Sequence, residues 1–258
     1  MTESNTRNNS HVTVVMPAYM AEATIEKAFL EIPAGAVGRV LVVDDASRDS
    51  TVKIAGKLGL ETVVHPRNLG YGGSQKTGYA TALENGAEIV VMLHADAQYD
   101  ARKIPDMVEP IRSGAADMVL GSRMSVPGGA RRGGMPVSKI IVNRALTAFQ
   151  NSIFGTSLTD MHTGYRAYSR ECLLKLPVSG NSDGFIFDSE IIAQAAFQKM
   201  RIAEIPIESR YFNEASSIGF FHGAVYTFKT ILIALKFLMQ KSGLFRFRLF
   251  DCTGDKKC

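Results

Sequence analysis

The chain has 258 residues, 46% hydrophobic and 21% charged, which suits one α/β domain with a sizeable core and excludes a chain that is disordered by composition. Its net charge of +4 comes from the C-terminal end, where seven Lys or Arg and two Asp follow Phe228; this predicts an anionic partner such as a membrane surface, a phosphate group or nucleic acid. Three cysteines without a CxxC pair argue against a disulfide framework or a zinc site and favour a reduced, cytosolic setting.

The first half of the chain alternates strand and helix patterns. Residues 1–11 are a polar tail without the apolar stretch of a secretory signal. Strands are then predicted at Val12–Ala18, Arg39–Asp44, Glu61–His65, Glu88–Leu93 and Met118–Gly121. Helices are predicted between them at Ala21–Leu30, Asp49–Leu58, Ser74–Asn85 (with Ser74 as the cap) and Arg102–Ser113. This alternation predicts βαβ units and a mainly parallel sheet.

Polar clusters follow four of these strands. They are Pro17-Ala18-Tyr19, Asp44-Asp45, His94-Ala95-Asp96 and Gly121-Ser122-Arg123. Ligands of parallel sheets bind outside the carboxyl ends of the strands. We therefore expect all four clusters to converge on one rim of the sheet.

The second half is less regular. A glycine- and arginine-rich loop is predicted at Pro127–Gly134. It is followed by a helix at Val137–Ile153, a strand or turn at Thr163–Ser169, a helix at Phe187–Lys199 and a strand at Ile202–Ile207.

The last element, Gly223–Lys241, is apolar but interrupted by Lys229 and Lys236, which share one helix face. No uninterrupted run reaches the roughly 18–20 residues of a membrane span. The pattern suits a helix lying in the membrane interface, or else a helix that packs in the core or in a dimer. The basic end favours the membrane. This divides the chain into a catalytic domain at 12–222 and an amphipathic helix and tail at 223–258.

Two of the strand-end clusters carry chemistry. Asp44 and Asp45 are adjacent carboxylates, which need cations, donors or water to stay ionised together; the alternative is a simple helix cap. His94, Asp96 and Gln98 alternate along an extended segment and can present one nitrogen and two oxygens to one side. Mg²⁺ or Mn²⁺ binds through few carboxylates plus ligand phosphates and water, and an imidazole suits Mn²⁺ better. The alternative is a polar exit from the strand.

The glycine-rich stretch Gly70–Gly78 (GYGGSQKTG) matches neither GxxxxGK[ST] nor GxGxxG, because no glycine precedes Lys76 and Gln75 takes the place of the third glycine. A glycine-rich turn that leads into a helix N-terminus can still approach an anion. This stretch, with Lys76, is therefore expected to border a bound nucleotide.

Six segments stand in order between Val12 and Arg210: VVMPAYMAEATI, VLVVDDASRDST, NLGYGGSQKTGYATA, HADAQYD, LGSR and TGYRAYSR. As an ordered set they resemble family 2 glycosyltransferases of the GT-A fold, of the dolichol-phosphate mannose or polyprenyl-phosphate glucose synthase type. The resemblance implies an α/β fold with a mostly parallel central sheet flanked by helices. It also implies a nucleotide-sugar donor and a divalent metal.

The resemblance also implies site residues. Those expected to cradle the nucleotide are Pro17, Ala18, Tyr19, Glu22, Asp44, Asp45 and Ala95. Asp96 would be the main metal ligand of a DxD-like motif, with Gln98 as a second. The family usually has Asp where this chain has His94, so His94 either binds the metal or lines the pocket.

On the acceptor side, Arg123 of LGSR would contact acceptor or donor phosphate, with Arg131 and Arg132 in a loop that closes over the site. Arg210 and Ser217 lie in a segment similar to an Arg…Ser-Lys-x-Gly motif, in which Ser217 replaces the lysine. One acceptor-phosphate contact is therefore missing or comes from another residue.

Asp188 occupies the place of an acidic acceptor-side motif. It would act as a general base if the acceptor is an alcohol, whereas an ionised phosphate acceptor needs none. The alternative is a carboxylate favoured by the dipole at a helix N-terminus. His162, beside Asp160, is expected to line the acceptor side or to be a plain core residue.

The resemblance, together with the basic C-terminal end, thus implies an inverting glycosyltransferase that moves a sugar from a UDP- or GDP-sugar to a polyprenyl phosphate, peripheral to the cytoplasmic face of a membrane. Transfer to a hydroxyl acceptor with Asp188 as base is the nearest alternative. A non-catalytic nucleotide-binding protein is the alternative of another class. Nucleic acid is not expected, because no stripe of aromatic and basic residues accompanies the basic end. The sequence leaves open which sugar is transferred, which nucleotide base the donor carries and whether the chain forms a homo-oligomer.

Overall fold

The computed structural model describes residues 9–210 and 220–251. Its strands are β1 Val12–Ala18, β2 Arg39–Asp44, β3 Glu61–Val64, β4 Ile89–Met92, β5 Met118–Ser122, β6 Arg166–Ser169 and β7 Ile202–Pro206. They form one sheet in the order β3-β2-β1-β4-β6-β5-β7. Only β6 runs antiparallel to its neighbours among these strands. The carboxyl ends of β1, β2, β4 and β5 therefore lie on one rim.

Nine α-helices are present in the described residues: α1 Ile25–Leu30, α2 Thr51–Lys57, α3 Tyr71–Glu84, α4 Ile104–Arg112, α5 Gly129–Arg132, α6 Val137–Phe154, α7 Arg170–Lys175, α8 Phe187–Phe197 and α9 Phe220–Lys241. One core lies between the sheet and α1, α2 and α4, and the other lies under α3, α6, α8 and α9. Alternate residues of β1 face the two cores: Val14 and Met16 point to the first and Val15 to the second.

The sequence placed most elements of the first half correctly. β1 and β2 begin and end where they were predicted, β3 ends one residue earlier, and β4 is one residue shorter at each end. The α3 helix is an exception, because it begins at Tyr71 and takes in the whole glycine-rich stretch; Ser74 lies inside the helix and is not its cap. At Gly78 the missing side chain leaves room for Val15, which brings α3 close to β1.

The second half departs further from the prediction. The stretch predicted as a loop at Pro127–Gly134 contains one helical turn, α5. The α7 helix was not predicted; the side chain of Ser169 caps it by accepting a hydrogen bond from the Cys172 N–H at 3.0 Å. Asn9 and His11, within the predicted tail, bond to the backbone of the domain at Gly35 and Glu88.

The α9 helix packs against α6 and α8. Its inner face, with Ile233, Ala234 and Phe237, is buried in the second core. Its outer face exposes large apolar side chains, among them Phe228 and Leu235. Within the described residues, none of the helices combines the length and the apolar character needed to cross a bilayer. The interpretation as a helix that packs in the core is therefore correct for its inner face, and the interpretation as a helix in the membrane interface stays a prediction.

Candidate active site

Backbone strain is concentrated at the rim formed by the strand ends. Among the described residues, four other than glycine have positive φ, and three of them, Met20, Ala46 and Ala97, lie just after β1, β2 and β4. Alanine and methionine rarely adopt this left-handed conformation, and such residues cluster at functional sites. The turns that leave these three strands are therefore bent sharply away from the strand direction.

A first cavity of about 460 Å³ lies over these turns. We call it the strand-end cavity. Its wall includes Pro17, Ala18 and Tyr19 after β1, Asp45 after β2, His94, Ala95 and Asp96 after β4, and Asn68, Gly70, Ser74 and Phe185. Three of the four polar clusters predicted to converge do meet here. The glycine-rich stretch contributes Gly70, Tyr71 and Ser74 to this wall.

Asp45 forms part of the cavity wall, but its carboxylate is hydrogen-bonded within the protein. Its oxygens accept hydrogen bonds from the Leu69 and Gly70 N–H groups at 2.7 and 2.8 Å. The Nδ1 of His65 lies 2.8 Å from Oδ1 of Asp45, and the other ring nitrogen of His65 reaches Thr77 at 2.9 Å. Asp45 thus fixes the glycine-rich turn that begins α3. The sequence analysis placed His65 only at the end of a predicted strand and missed this role.

Three other residues predicted to bind the nucleotide lie away from the cavity wall. Asp44 is fully buried beneath it, with one carboxylate oxygen accepting from the Ser47 N–H and the other without a hydrogen-bond partner. The Glu22 carboxylate accepts from the Ser50 N–H at 2.8 Å and so ties two loops together. Lys76 donates to the carbonyl of Asn181 and pairs with Asp183, 2.5 Å away. These side chains therefore support the segments around the cavity and do not line it.

His94 and Asp96 are the residues best placed to hold a cation. The Nδ1 of His94 lies 3.8 Å from a carboxylate oxygen of Asp96, and both side chains are partly exposed to the cavity. The other oxygen of Asp96 accepts from the Gln98 N–H at 3.1 Å. Among residues 9–210 and 220–251, no three His, Cys, Asp or Glu side chains come together as a metal site. A cation here would complete its shell with ligand phosphates and water, which suits Mg²⁺ or Mn²⁺.

A second cavity of about 550 Å³ adjoins the first. We call it the helix-walled cavity, because α6, α8 and α9 supply much of its wall. Its wall combines polar side chains with apolar ones, which are Met135, Val142, Leu146, Phe185 and Ala224. The side chains of Gln98 and Arg123 also line it, so Gln98 belongs to the wall of this cavity rather than to that of the strand-end cavity. Tyr71, His94 and Phe185 line both cavities and form their junction.

Asp188 reaches the helix-walled cavity from the first turn of α8, but both of its oxygens are engaged. The Tyr71 hydroxyl donates to one at 2.9 Å, and the Gln75 amide donates to the other at 3.3 Å. The fully buried guanidinium of Arg166 lies 3.4 Å from the same oxygen as Gln75. Burial alone lowers the pKa of Arg166, but the Asp188 carboxylate raises it above its ordinary value.

Arg123 forms a buried ion pair at the edge of the helix-walled cavity. Its guanidinium contacts both oxygens of Asp160, at 2.7 and 3.0 Å, and donates to the carbonyl of His162 at 2.8 Å. Burial raises the pKa of Asp160, but Arg123 and the Asn143 amide outweigh it and hold that pKa below its usual range. Much of the charge of Arg123 is therefore balanced within the protein.

His162 lines the same cavity. Its Nδ1 lies 2.8 Å from the hydroxyl of Tyr226, whereas its Nε2 has no hydrogen-bond partner. Burial is the main cause that lowers the pKa of His162 to about 4. The ring is therefore neutral at physiological pH.

The remaining predicted arginines do not line either cavity. Arg131 and Arg132 lie on the exposed α5 turn, where Arg132 donates to the carbonyl of Pro127 at 3.2 Å. Arg210 pairs with Glu31 at 2.7 Å. Ser217 lies outside the described residues. The basic side chain of Lys139, on α6, lines the helix-walled cavity and was not predicted.

Sequence analysis also missed the side chains that hold Asp188. Tyr71 and Arg166 were quoted only as letters of longer motifs and Gln75 only as a departure from a glycine motif, yet together they hold Asp188. Tyr71 and Gln75 are four residues apart on α3 and so share a face, but the helix was predicted to begin only at Ser74, so the prediction did not contain this face. Nothing in their spacing indicated that Arg166 and Asp188 would approach this face.

A parallel-sheet rim with strained turns, a cavity over the strand ends and a second cavity beside it is the arrangement of an α/β protein that binds ligands at its strand ends. Residues 13–176 match the model of Glycosyl transferase family 2, and the chain belongs to that family.

Curated relatives extend this likeness over most of the chain. The UDP-N-acetylglucosamine–dolichyl-phosphate N-acetylglucosaminyltransferase of Methanococcus voltae is 29% identical, over 78% of this chain and 86% of its own length. The undecaprenyl-phosphate mannosyltransferase of Micrococcus luteus is 34% identical, over 65% of this chain and 70% of its own.

Solved structures show the fold. Glucosyl-3-phosphoglycerate synthase from Mycobacterium tuberculosis, crystallised with Mn²⁺, UDP-glucose and phosphoglyceric acid, superposes with a TM-score of 0.66 at 21% identity. The match covers 88% of this chain and 79% of that one. The predicted GT-A fold is thereby confirmed.

Proposed function

We propose that the chain is an inverting, metal-dependent glycosyltransferase that moves a sugar from a nucleotide-diphosphate donor to a polyprenyl phosphate. The observation that carries the proposal is the junction of the two cavities at Tyr71, His94 and Phe185. A donor in the strand-end cavity would place its sugar at this junction. An acceptor in the helix-walled cavity would then approach the sugar from the side away from the nucleotide.

Each cavity offers groups that suit one of the two substrates. The strand-end cavity offers backbone, hydroxyl and carboxylate groups at a sheet rim, where nucleotides bind in α/β folds. The helix-walled cavity offers apolar side chains together with cationic Lys139 and the guanidinium of Arg123. An amphipathic acceptor with a phosphate head and an apolar chain fits this distribution. Two curated relatives act on acceptors of this class by name.

The engagement of Asp188 favours a phosphate acceptor over a hydroxyl. A general base takes up the proton of the attacking alcohol, and Asp188 would lose its charge, and with it the ion pair to buried Arg166, in doing so. Both oxygens of Asp188 already accept from Tyr71 and Gln75, and Arg166 is paired with one of them. An ionised phosphate attacks without such a base. Transfer to a hydroxyl with Asp188 as base therefore remains the second candidate.

The chemistry at the donor would be divided between the protein and a cation. Asp96 and His94 would hold a divalent metal, with Gln98 supporting Asp96 through its N–H. When bound, the metal would neutralise charge on the departing diphosphate. Arg123 would contribute positive potential at the acceptor side, reduced by Asp160. The strained turn at Ala97 would keep Asp96 aimed into the cavity.

We also propose that α6 and α9 contact a membrane surface. The two helices pack side by side and expose large apolar side chains: Ile141, Val142, Phe149, Val225, Phe228, Leu232, Leu235 and Leu238. Lys229 and Lys236 are exposed on the same helix. An apolar face flanked by lysines is typical of helices that lie in the interface of anionic bilayers. Val142 also lines the helix-walled cavity, so the apolar surface leads into it.

The test is turnover of a panel of UDP- and GDP-sugars with Mn²⁺ or Mg²⁺, comparing a short polyprenyl phosphate with the uncharged polyprenol of the same length. Transfer to the phosphate alone, abolished by chelation, is the expected result. Transfer to the polyprenol or to another alcohol would establish the hydroxyl alternative, with Asp188→Asn the next variant. Nucleotide binding without consumption of any donor would overturn the assignment as an enzyme.

The membrane proposal has its own test. The double variant Phe228→Glu, Leu232→Glu should bind vesicles containing anionic lipid about tenfold more weakly than the unchanged chain, because it loses apolar burial and gains repulsion. Leu30→Glu is the matched control, since Leu30 is an exposed leucine on α1. Equal weakening by both would show that the α6–α9 face is not special.

A further inference from the structure

The Tyr71 hydroxyl lies between two groups that belong to different cavities. It is 3.0 Å from Nε2 of His94 and 2.9 Å from a carboxylate oxygen of Asp188. His94 lies in the wall shared by both cavities, whereas Asp188 lines only the helix-walled cavity. Tyr71 thus connects the two sides of the site through one oxygen atom.

The partners of Asp188 decide the direction of these hydrogen bonds. The carboxylate is surrounded by donors, with Gln75 at 3.3 Å and Arg166 at 3.4 Å on one oxygen. A carboxylate only accepts, so Tyr71 donates its one proton to the other oxygen.

The tautomer of His94 follows from this direction. Because the proton of Tyr71 is committed to Asp188, the Tyr71 oxygen can only accept from His94. Nε2 therefore carries the hydrogen, and Nδ1 carries the lone pair. This Nδ1 lies 3.8 Å from Asp96, too far for a hydrogen bond between them. A nitrogen lone pair and a carboxylate that face each other at this distance are ligands between which a cation can bind.

A glycine keeps this arrangement open. A side chain at Gly164 would place its Cβ 2.6 Å from Nε2 of His94 and 3.0 Å from the Tyr71 hydroxyl. Either group would have to move, and the His94–Tyr71 contact would be lost. The rings of Tyr71 and Tyr99 hold the imidazole edge-on at 5.4 Å each. His94 therefore has one orientation, with Nδ1 toward Asp96.

We propose that Tyr71 is a positioning residue that fixes His94 in the Nε2–H form and thereby makes Nδ1 of His94 the nitrogen ligand of a divalent cation shared with Asp96. Asp188 acts through Tyr71 by accepting its proton. The inference rests on the proposed metal-dependent function. It assigns to Asp188 a task in holding the donor-side cation, which is an alternative to the task of a base. Ligand histidines commonly owe their tautomer to such a partner on the other nitrogen.

The test measures Mn²⁺ affinity without turnover. The probe is Mn²⁺ titrated into protein saturated with UDP, or with GDP if UDP does not bind, and followed by electron paramagnetic resonance. Tyr71→Phe should weaken Mn²⁺ binding about tenfold, the lower end of the loss usual for such partners. Tyr165→Phe is the matched control, because its hydroxyl bonds only weakly, at 3.4 Å, to the Asp100 carbonyl. It should change the affinity less than about twofold.

A double-mutant cycle separates this role from a merely structural one. With His94→Asp in place there is no imidazole tautomer to fix, so adding Tyr71→Phe should leave Mn²⁺ affinity unchanged. Equal weakening by Tyr71→Phe in both backgrounds would overturn the inference. The tautomer itself is read from long-range ¹H–¹⁵N correlations of His94 in metal-free protein. A proton on Nδ1 in the unchanged chain would also overturn it.

The Mn²⁺ measurement can succeed or fail separately from the proposed sugar transfer. A chain that shows the expected coupling in Mn²⁺ binding but transfers no sugar would sink the proposed function and leave the role of Tyr71 standing. Sugar transfer with no coupling would do the reverse. Absence of Mn²⁺ binding would overturn the inference whatever the turnover.

Discussion

The two cavities are built on different plans although they meet at one junction. The strand-end cavity takes most of its wall from turns that directly follow β1, β2 and β4. Each of these residues therefore lies next to a strand in the sequence. The helix-walled cavity collects residues from α3, α6, α8 and α9, which are separated by long stretches of sequence. The first is a consequence of sheet topology. The second depends on how four helices pack, and small changes in packing alter it.

The charges in the two regions differ in the same way. At the strand ends, Asp45 is satisfied mainly by backbone N–H groups of one turn. In the helix-walled region, Asp160 and Asp188 are satisfied by buried arginines from distant segments. We therefore expect substitutions at the strand ends to affect catalysis first, and substitutions of the buried pairs to affect stability first. Four predictions test this contrast.

The largest effect is expected at Asp96. Asp96→Ala removes the carboxylate that lies beside His94 in the strand-end cavity. The cation that would neutralise the departing diphosphate would then lose its main ligand. We expect kcat/KM to fall about 1000-fold, equivalent to about 4 kcal/mol. Steady-state transfer kinetics measure this. The midpoint of thermal unfolding should stay within a few degrees, and a large fall in that midpoint would contradict the contrast between the regions.

The second prediction concerns Asp160. Asp160→Asn removes the carboxylate that pairs with the buried guanidinium of Arg123 and turns an amide N–H₂ toward existing donors. Removing one partner of a buried pair costs about 3–5 kcal/mol. Denaturant unfolding at pH 7 measures the loss. Asn143→Ala, which removes one neutral hydrogen bond to the same carboxylate at 2.9 Å, should cost clearly less.

The pH dependence of this variant has a definite sign. The folded pKa of Asp160 is below its usual range, so the native state binds fewer protons than the unfolded state around pH 4. The stabilisation is complete above the unfolded pKa of about 3.9 and is lost as pH falls through the lower folded value. The difference between the unchanged chain and Asp160→Asn should therefore be constant from pH 5 to 8 and shrink below about pH 4. A difference that is independent of pH would contradict the ion pair.

Much of the fold could be predicted from the sequence because the first half obeys local rules. The runs at β1 and β2 are apolar, β-branched and bounded by turn residues, so their ends are visible in the letters. The position of the strand-end cavity followed from the parallel order. The direction of β6 could not be predicted, because TGYRAYS does not specify its neighbours, and β6 pairs with strands at 89–92 and 118–120.

The site was predictable to the same extent. Asp96 and His94 follow a strand and could be placed at the rim, and Asp188 could be placed at a helix N-terminus. The engagement of Asp188 and Arg123 could not be foreseen, because Arg166 and Asp160 reach them through tertiary packing alone. Motif letters identify which side chains come near a ligand. They do not show which of those side chains are already paired.

The third prediction uses His162. Its folded pKa is about 4, whereas an unfolded histidine titrates near 6.5, so the unfolded state alone gains a proton between these values. Stability should therefore fall as pH drops from about 6.5 to 4 and level off below that. We expect a loss of about 2 kcal/mol, less than the full shift because the ring is partly exposed. His162→Asn keeps a partner for Tyr226 without titrating and should lack this loss; an equal loss in both chains would show that other groups cause it.

The smallest effect is expected at Ser169, far from both cavities at the start of α7. Its hydroxyl accepts from the Cys172 N–H at 3.0 Å, which satisfies one of the free donors at the helix N-terminus. Ser169→Ala should therefore cost about 1 kcal/mol in denaturant unfolding, and Ser169→Thr, which keeps the hydroxyl, should recover most of it. Neither variant should change kcat, because α7 takes no part in either cavity wall. A change in kcat with unchanged stability would mean that the shape of the helix-walled cavity depends on packing at the C-terminal end of β6. Effects on catalysis and on stability could then not be assigned to separate regions.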